Sequence, residues 1–261
     1  MSSQHYFSEV SLLITHYNRS QSLERLLQTF NEQHFVFGEI IVSDDGSQPE
    51  HQSKLKELQK VYHFNLVGTP QNKGLGNNIN KGQDAVTKPY TLYVQEDFTP
   101  IPGFAAHFQD ALQMMQSNKE LDIVRFYAYF TYPYLKPYQK GFSEMIFSAW
   151  TLNHLKFYYY SDHPHLRRSS FFQKFGRYPE GIKGDLTEYQ MAISFIKNKG
   201  KGLFYNQFNT LFDQRNSSEE PSTMNRSDWR QNKNPITLFV RAFYLKFKLL
   251  KGHLDLLQTK S

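Results

Sequence analysis

The first hundred residues repeat one pattern, and that pattern narrows the fold more than any other feature of the chain. A short β-branched or leucine-rich run ends in polar residues, and a stretch with helical spacing follows. "EVSLLITH" at residues 9–16 runs into "YNRS", where Asn18 and Ser20 supply turn and helix-cap chemistry. "QSLERLLQTFNEQ" then sets Leu23, Leu26, Leu27 and Phe30 at three- and four-residue spacing, one apolar face of a helix. "GEIIVSDDGS" repeats the strand and its polar end, closing on Asp44, Asp45 and Gly46. A helix over 50–61, a strand in "FNLVGT", a helix in "GNNINKGQDAV" and a strand in "YTLYVQ" continue the alternation. Strands separated by helices predict a parallel sheet covered on both faces, with ligands gathered at the carboxyl ends of the strands. The polar residues stand at those ends.

After Pro102 the pattern loosens. It predicts a helix at about 103–117, a strand in "DIVRFYAY", an aromatic loop to about 160, a helix in "LTEYQMAISFIKNKG" and a strand in "LFYNQ". Residues 214–235 are rich in Ser, Asn, Glu and Pro and read as a linker. With 261 residues, 39% of them hydrophobic, the chain can build a sizeable core. It has no cysteine, which excludes disulfides and thiolate metal sites. The net charge of +6 gathers partly beyond Arg215 without an arginine-rich stripe, so no nucleic-acid partner is expected. The start "MSSQHYFSEV" lacks the pattern of a secretory signal, and no apolar run is long enough to span a bilayer. The expectation is a cytoplasmic protein, soluble or peripheral on the inner face of the membrane.

Four motifs carry candidate chemistry. "SDDGS" is by itself an ordinary turn. In "NKGLGNNINKG", Gly74 and Gly76 let backbone amides approach a ligand closely, but the stretch is neither a Walker loop nor GxGxxG. "LYVQEDFTP" ends an apolar run on Glu96 and Asp97, two like charges that need solvent, a cation or separate hydrogen bonds to relieve them. A hard divalent cation shared with a substrate diphosphate would do so. "SDHPHLRRSSFF" holds His163 and His165, too close for the helical metal-ligand spacing, and reads first as a polar loop. Its Arg167 or Arg168 offers, as a second reading, a partner for a diphosphate or an anionic acceptor.

In their order and spacing, "VSLLITHYNRS", "EIIVSDDGS", "NKGLGNNINKG" and "LYVQEDFTPIPGF" resemble the family-two glycosyltransferases of the A-type nucleotide-sugar fold. The likeness is close over roughly 9–104 and looser to about 213. It implies an α/β fold, a mostly parallel central sheet with helices on both faces, and a catalytic domain over 1–213. Within it, about 9–97 forms the nucleotide-sugar half and 98–213 the acceptor half. The implied reaction moves a sugar from a nucleotide diphosphate donor, uridine-linked, to a hydroxyl of a glycan or lipid-linked acceptor, with inversion and with Mn²⁺ or Mg²⁺. Thr15 and Tyr17 match positions that line the base, Asp45 matches the residue that bonds it, and Gly74 lies in the loop beside the nucleotide. Glu96 falls where the family holds the ribose and Asp97 where it ligates the cation. Gln95 departs from the family, which has Asp at that position. The family places its catalytic base at the start of a helix in the second half, where "IKGDLTEYQMAISFI" supplies Asp185 and Glu188. Both also suit a plain helix start, and alignment of the following helix and "LFYN" favours Glu188. Nucleotidyl transfer stands as an alternative, although "THYNRSQS" is not the basic, glycine-rich loop it calls for. A silent scaffold is a third reading, and Gln95 favours it.

At the end of the chain, Ile236, Phe239, Val240, Phe243, Phe247 and Leu250 recur at helical spacing within 236–258, accompanied by Arg241, Lys246, Lys248 and Lys251. Such a helix either lies in an anionic membrane surface or packs its apolar face on the catalytic domain.

Overall fold

Leu12 and Ile14 of the first strand face one side of the sheet and Leu13 the other, and this alternation builds two cores. The computed structural model describes residues 4–215, 220 and 234–258, with side chains from 244 onward in the last helix. The first half follows the expected alternation: β1 (His5–His16), α1 (Ser20–Glu32), β2 (Phe35–Asp44), α2 (Pro49–Tyr62), β3 (Asn65–Gly68), α3 (Leu75–Asp84) and β4 (Tyr90–Gln95). The second half contains β5 (Phe98–Pro100), α4 (Phe104–Ser117), β6 (Ile123–Arg125), β7 (Leu135–Pro137), β8 (Phe142–Met145), β9 (His165–Arg168), α5 (Phe171–Phe175), α6 (Gly184–Lys197), β10 (Gly202–Tyr205), β11 (Phe212–Gln214) and α7 (Pro235–Leu257).

The main sheet has nine strands in the order β3-β2-β1-β4-β9-β6-β10-β8-β7, and β5 pairs with β11 in a small second sheet. β1, β2, β3 and β4 are parallel, while β9 runs antiparallel to both β4 and β6. Residues from α1, α2 and α4 cover one face, with Leu23, Leu26, Leu55, Leu58, Phe104 and Phe108 all buried in one cluster. The other face is closed by α3, α5 and α6 through Ile79, Phe171, Phe175, Met191 and Phe195. Burying apolar surface on both sides is what lets a parallel sheet exist, since it has no face to show to water.

Three expectations need correction. The stretch around His165 is no polar loop, because His165–Arg168 is a central strand between β4 and β6. Arg167 does not face a diphosphate either. It is fully buried, donates to Gln83 Oε1 at 2.8 Å and to the Tyr178 hydroxyl at 2.9 Å, and lies over the ring of Phe171. Arg168 spends its donors on the carbonyls of Leu121, Met115 and Asn118. The "aromatic loop" also contains a hairpin, β7 with β8.

Most of the expected linker, residues 216–219 and 221–233, lies outside the described residues, as do the side chains of Ile236, Phe239, Val240 and Phe243. Within the described part of α7, Phe247 and Leu250 face solvent.

Candidate active site

The carboxyl ends of β1, β2 and β4 lie side by side, since Thr15 pairs in register with Ser43 and with Gln95. Every polar motif of the first half therefore ends on one edge of the sheet. The loop after β1 is buckled to the loop after β2: Asn18, at φ 53°, receives the Gln48 N–H on its Oδ1 at 2.8 Å and donates its own N–H to Ser47 Oγ at 2.9 Å. Beneath them His16 Nδ1 meets Asp44 Oδ1 at 2.8 Å. Burial works against the Asp44 carboxylate, yet the bonds from His16 and Ser47 outweigh it and hold its pKa below the usual value.

Asp45 accepts the N–H groups of Lys73 at 2.8 Å and Gly74 at 2.9 Å, so two residues expected at the nucleotide bind each other. Burial raises the Asp45 pKa despite those bonds. Gly74, at φ 87°, uses the backbone freedom of glycine to make this turn. Gly76 serves packing: a Cβ there would lie 2.2 Å from the Pro179 carbonyl oxygen. Thr15 is buried with its hydroxyl 3.0 Å from the Tyr93 hydroxyl, and Tyr17 is half-buried at the rim.

Glu96 and Asp97 follow β4 directly and both are buried. Arg19, at the head of α1, brings Nη1 to 3.5 Å from Glu96 Oε1 and 3.3 Å from Asp97 Oδ2. Gln214 of β11 donates to the same Asp97 oxygen at 2.8 Å, and the Arg215 N–H donates to the Asp97 carbonyl at 2.9 Å. Desolvation and then the Asp97 charge push the Glu96 carboxyl up to about 8, with Arg19 acting in the opposite sense. Sequence reasoning missed Arg19 and Gln214, whose role depends on contacts 78 and 117 positions away in the chain.

A divalent cation fits this corner. Asp97 Oδ1 is a buried, hard oxygen donor with no hydrogen-bond partner among the described residues. No cluster of three or more His, Asp or Glu able to hold a metal occurs among the described residues, so substrate phosphate and water would complete the shell.

The second half adds acids to the same edge. β9 runs antiparallel to β4 with His165 opposite Tyr93, which carries the residues before β9 past the end of β4. There Asp162 N–H donates to Glu188 Oε1 at 3.1 Å. Glu188, in the first turns of α6, is half-buried, whereas Asp185 is exposed and, among the described residues, accepts only the N–H of Leu186. Arg125 lies near Glu188, and burial lowers the guanidinium to about 10 while Glu188 draws it back up. Asp162 is the acid that sequence reasoning passed over. Both of its carboxylate oxygens are buried without a well-formed hydrogen bond, although the hydroxyls of Tyr160 and Tyr178 lie close enough to favour its charged form. Burial and the neighbouring Glu188 charge nevertheless hold its pKa well above the ordinary range.

A mostly parallel sheet, two acids closing its fourth strand and a further acid leading a helix beside them form the arrangement of the A-type glycosyltransferase fold. The sequence profile of glycosyl transferase family 2 matches residues 11–177, and the chain belongs to that family. A β-1,3-glucosyltransferase of Campylobacter jejuni, named for its acceptor GalNAc(5)-diNAcBac-PP-undecaprenol, is 28% identical over 99 residues. The poly-β-1,6-N-acetyl-D-glucosamine synthase of Staphylococcus epidermidis is 26% identical over 88 residues. These matches cover 36% and 34% of this chain but only 31% and 21% of the two relatives. Among solved structures, S. aureus TarS (residues 1–349) with UDP-GlcNAc superposes at a TM-score of 0.59 and 14% identity, over 84% of this chain and 62% of that one. The mannosyltransferase PcManGT of Pyrobaculum calidifontis, with GDP-Man and Mn²⁺, does so at 0.55 and 12% identity, over 95% and 69%. At such identities the likeness shows the fold alone.

Proposed function

We propose that this chain, with residues 1–213 as its catalytic unit, moves a sugar from a uridine-linked nucleotide diphosphate donor to a hydroxyl of a glycan or lipid-linked acceptor, with inversion. The observation that carries this reading is the meeting of three acids at one edge of the sheet. Glu96 and Asp97 are buried at the end of β4, and Glu188 accepts the Asp162 N–H; in this reading the first two face the donor and the third the acceptor. Tyr17 and Thr15 line the base, and Asp45, already fixing the 73–74 loop, presents its carboxylate beside them. Asp97 would hold Mn²⁺ or Mg²⁺, which when bound would supply positive charge for the leaving diphosphate. Glu188 takes the proton of the acceptor hydroxyl as that oxygen attacks the anomeric carbon. Arg125 lies close behind, and the Glu188 charge offsets part of the burial that lowers the guanidinium.

The relatives support the donor and acceptor classes. One acts on an undecaprenol-linked glycan, one synthesises a polysaccharide, and the structural neighbours hold nucleotide sugars. The setting proposed is polysaccharide or glycolipid synthesis at the cytoplasmic face of a membrane. The test is incubation with a panel of uridine and guanosine diphosphate sugars, with Mn²⁺ or Mg²⁺, measuring free nucleoside diphosphate. Release stimulated by an oligosaccharide or lipid-linked acceptor is the expected result. Pyrophosphate as the product would mean nucleotidyl transfer, and no turnover across the panel would leave a silent scaffold.

A further inference from the structure

The described part of α7 has two unlike faces. One packs on the catalytic unit: a Cβ added at Gly252 would lie 2.4 Å from the Phe157 ring, Lys248 donates to the Tyr158 hydroxyl at 2.7 Å, and the Tyr189 hydroxyl donates to Asp255 at 2.7 Å. The other carries Phe247, Leu250, Leu254 and Leu257, between 51% and 78% exposed. Their spacing of three, four and three residues makes one continuous apolar stripe. Water contact on this many large apolar side chains is unfavourable, at about 1.5–3 kcal/mol for each one that could be buried.

A second apolar feature is tied to the same helix. Lys156 is buried, and its ammonium donates to the carbonyls of Ser148 at 3.2 Å, Ala149 at 2.8 Å and Thr151 at 2.7 Å. The same nitrogen lies 3.1 Å from His253 Nε2 of α7. A loop wound around a fixed cation cannot fold its tip back into the core. It displays Trp150 at 93% exposure and Leu152 at 84%. Tryptophan, with an apolar body and one N–H donor, suits the boundary between hydrocarbon and water.

We propose that the α7 stripe and the Trp150–Leu152 loop form one docking surface for an anionic lipid bilayer. Charge complementarity selects this occupant: of the described cations of α7, Lys246 is exposed and Lys251, paired with the single acid Asp255, is half-exposed, while Lys248 is held by the Tyr158 hydroxyl on the packed face. No helix among the described residues is long and apolar enough to cross a membrane, so the contact is interfacial. The position also fits the chemistry. Tyr189, bonded to Asp255 of α7, is the next residue after Glu188, so the helix that would rest on the bilayer packs against the turn that carries the proposed base. The choice of lipid over protein rests on the lipid-linked acceptor reading above, but vesicle binding is measured with no donor present, so the two ideas fail separately.

The experiment is co-sedimentation of the full chain with phosphatidylglycerol-rich and with pure phosphatidylcholine vesicles at low and high salt. The expected result is binding to the anionic vesicles, weakened by salt. The pairs Phe247→Ser with Leu254→Ser, and Trp150→Ser with Leu152→Ser, each lower the partition coefficient at least about tenfold, the equivalent of 1.4 kcal/mol, at unchanged melting temperature. In a Trp229→Phe chain, the remaining Trp150 emission moves to the blue when anionic vesicles are added. Retention in the supernatant, equal binding by the variants, or unshifted emission overturns the proposal. So does a dimer by light scattering that the α7 pair dissolves while vesicles are ignored, because a second copy would then cover the stripe.

Discussion

Arg19 holds Asp97: the guanidinium lies 3.3 Å from the carboxylate, and both side chains are about 5% exposed. The like charges of Glu96 and Asp97 are thus partly offset from within the chain, by a cation 77 and 78 positions upstream, although the Glu96 carboxyl is still pushed up to about 8, and Asp97 Oδ1 is left over as a donor atom. Removing one member of a buried ionic cluster costs about 3–5 kcal/mol, because the other members stay buried and uncompensated. Arg19→Ala is therefore expected to lose about 3 kcal/mol of stability in EDTA. Mn²⁺ should recover part of that loss by supplying the missing charge. Urea unfolding of both chains with and without Mn²⁺ measures this, and a deficit that Mn²⁺ leaves unchanged would remove Asp97 as its ligand.

Asp97→Asn keeps the size of the side chain and leaves Arg19 paired with Glu96, so the fold should survive. What is lost is the negative charge that a cation requires. Calorimetry with uridine diphosphate and Mn²⁺ should show affinity reduced at least about tenfold, roughly 1.4 kcal/mol. Without the metal, both chains should bind the nucleotide equally. Wild-type affinity in the presence of Mn²⁺ would be the contrary result.

Glu188 and Asp185 differ in a way that only the fold exposes. Glu188 Oε1 accepts the Asp162 N–H at the edge where Glu96 and Asp97 lie, whereas Asp185 is exposed and serves its own helix. Glu188→Gln is expected to lower kcat about a hundredfold, the scale of a lost general base, with donor affinity retained. Asp185→Asn should stay within about twofold of wild type, as exposed substitutions usually do little. The reverse outcome would transfer the role of base to Asp185.

The strands β1 to β4 were legible because each is a short apolar run ending in turn residues; the burial of β4 and of the carboxyl-terminal halves of β1 and β2 matches that signal, while β3 at the sheet edge is only partly covered. The second half was not, and β9 shows why. Four residues, "HLRR", look polar, yet Arg167 is sealed by Gln83, Tyr178 and the Phe171 ring, and His165 has its pKa driven far below the ordinary value by burial and by Arg167. A charged side chain reads as exposed until its partners are known, and Gln83 is 84 positions away. The same blindness hid Asp162, which reaches the site only because β9 lies beside β4. Motif order singles out Thr15, Asp45, Glu96 and Asp97 as candidates, but the contacts they make, with Tyr93, Gly74 and Arg19, are tertiary.

Asp162 ties stability to pH. Desolvation first, and the Glu188 charge second, hold its carboxyl well above the 3.8 of an unperturbed aspartate. Above that value the unfolded chain releases a proton that the folded chain keeps, so the folded state binds more protons and loses stability as pH rises. The contribution is intact below pH 3.8 and declines as pH climbs toward the folded value. Asn has the shape of the neutral acid and no proton to lose. The difference in unfolding free energy between Asp162→Asn and wild type should therefore move in favour of the variant from pH 4 to pH 8. If Asp162 is also the neutral partner that lets Glu188 act as base, turnover in the variant should keep its level at low pH and change in the shape of its pH profile. Chemical unfolding at a series of pH values, run beside the rate profile, decides both points. A free-energy difference that is flat with pH would mean that Asp162 ionises normally in the folded chain, with its charge compensated by the tyrosine hydroxyls.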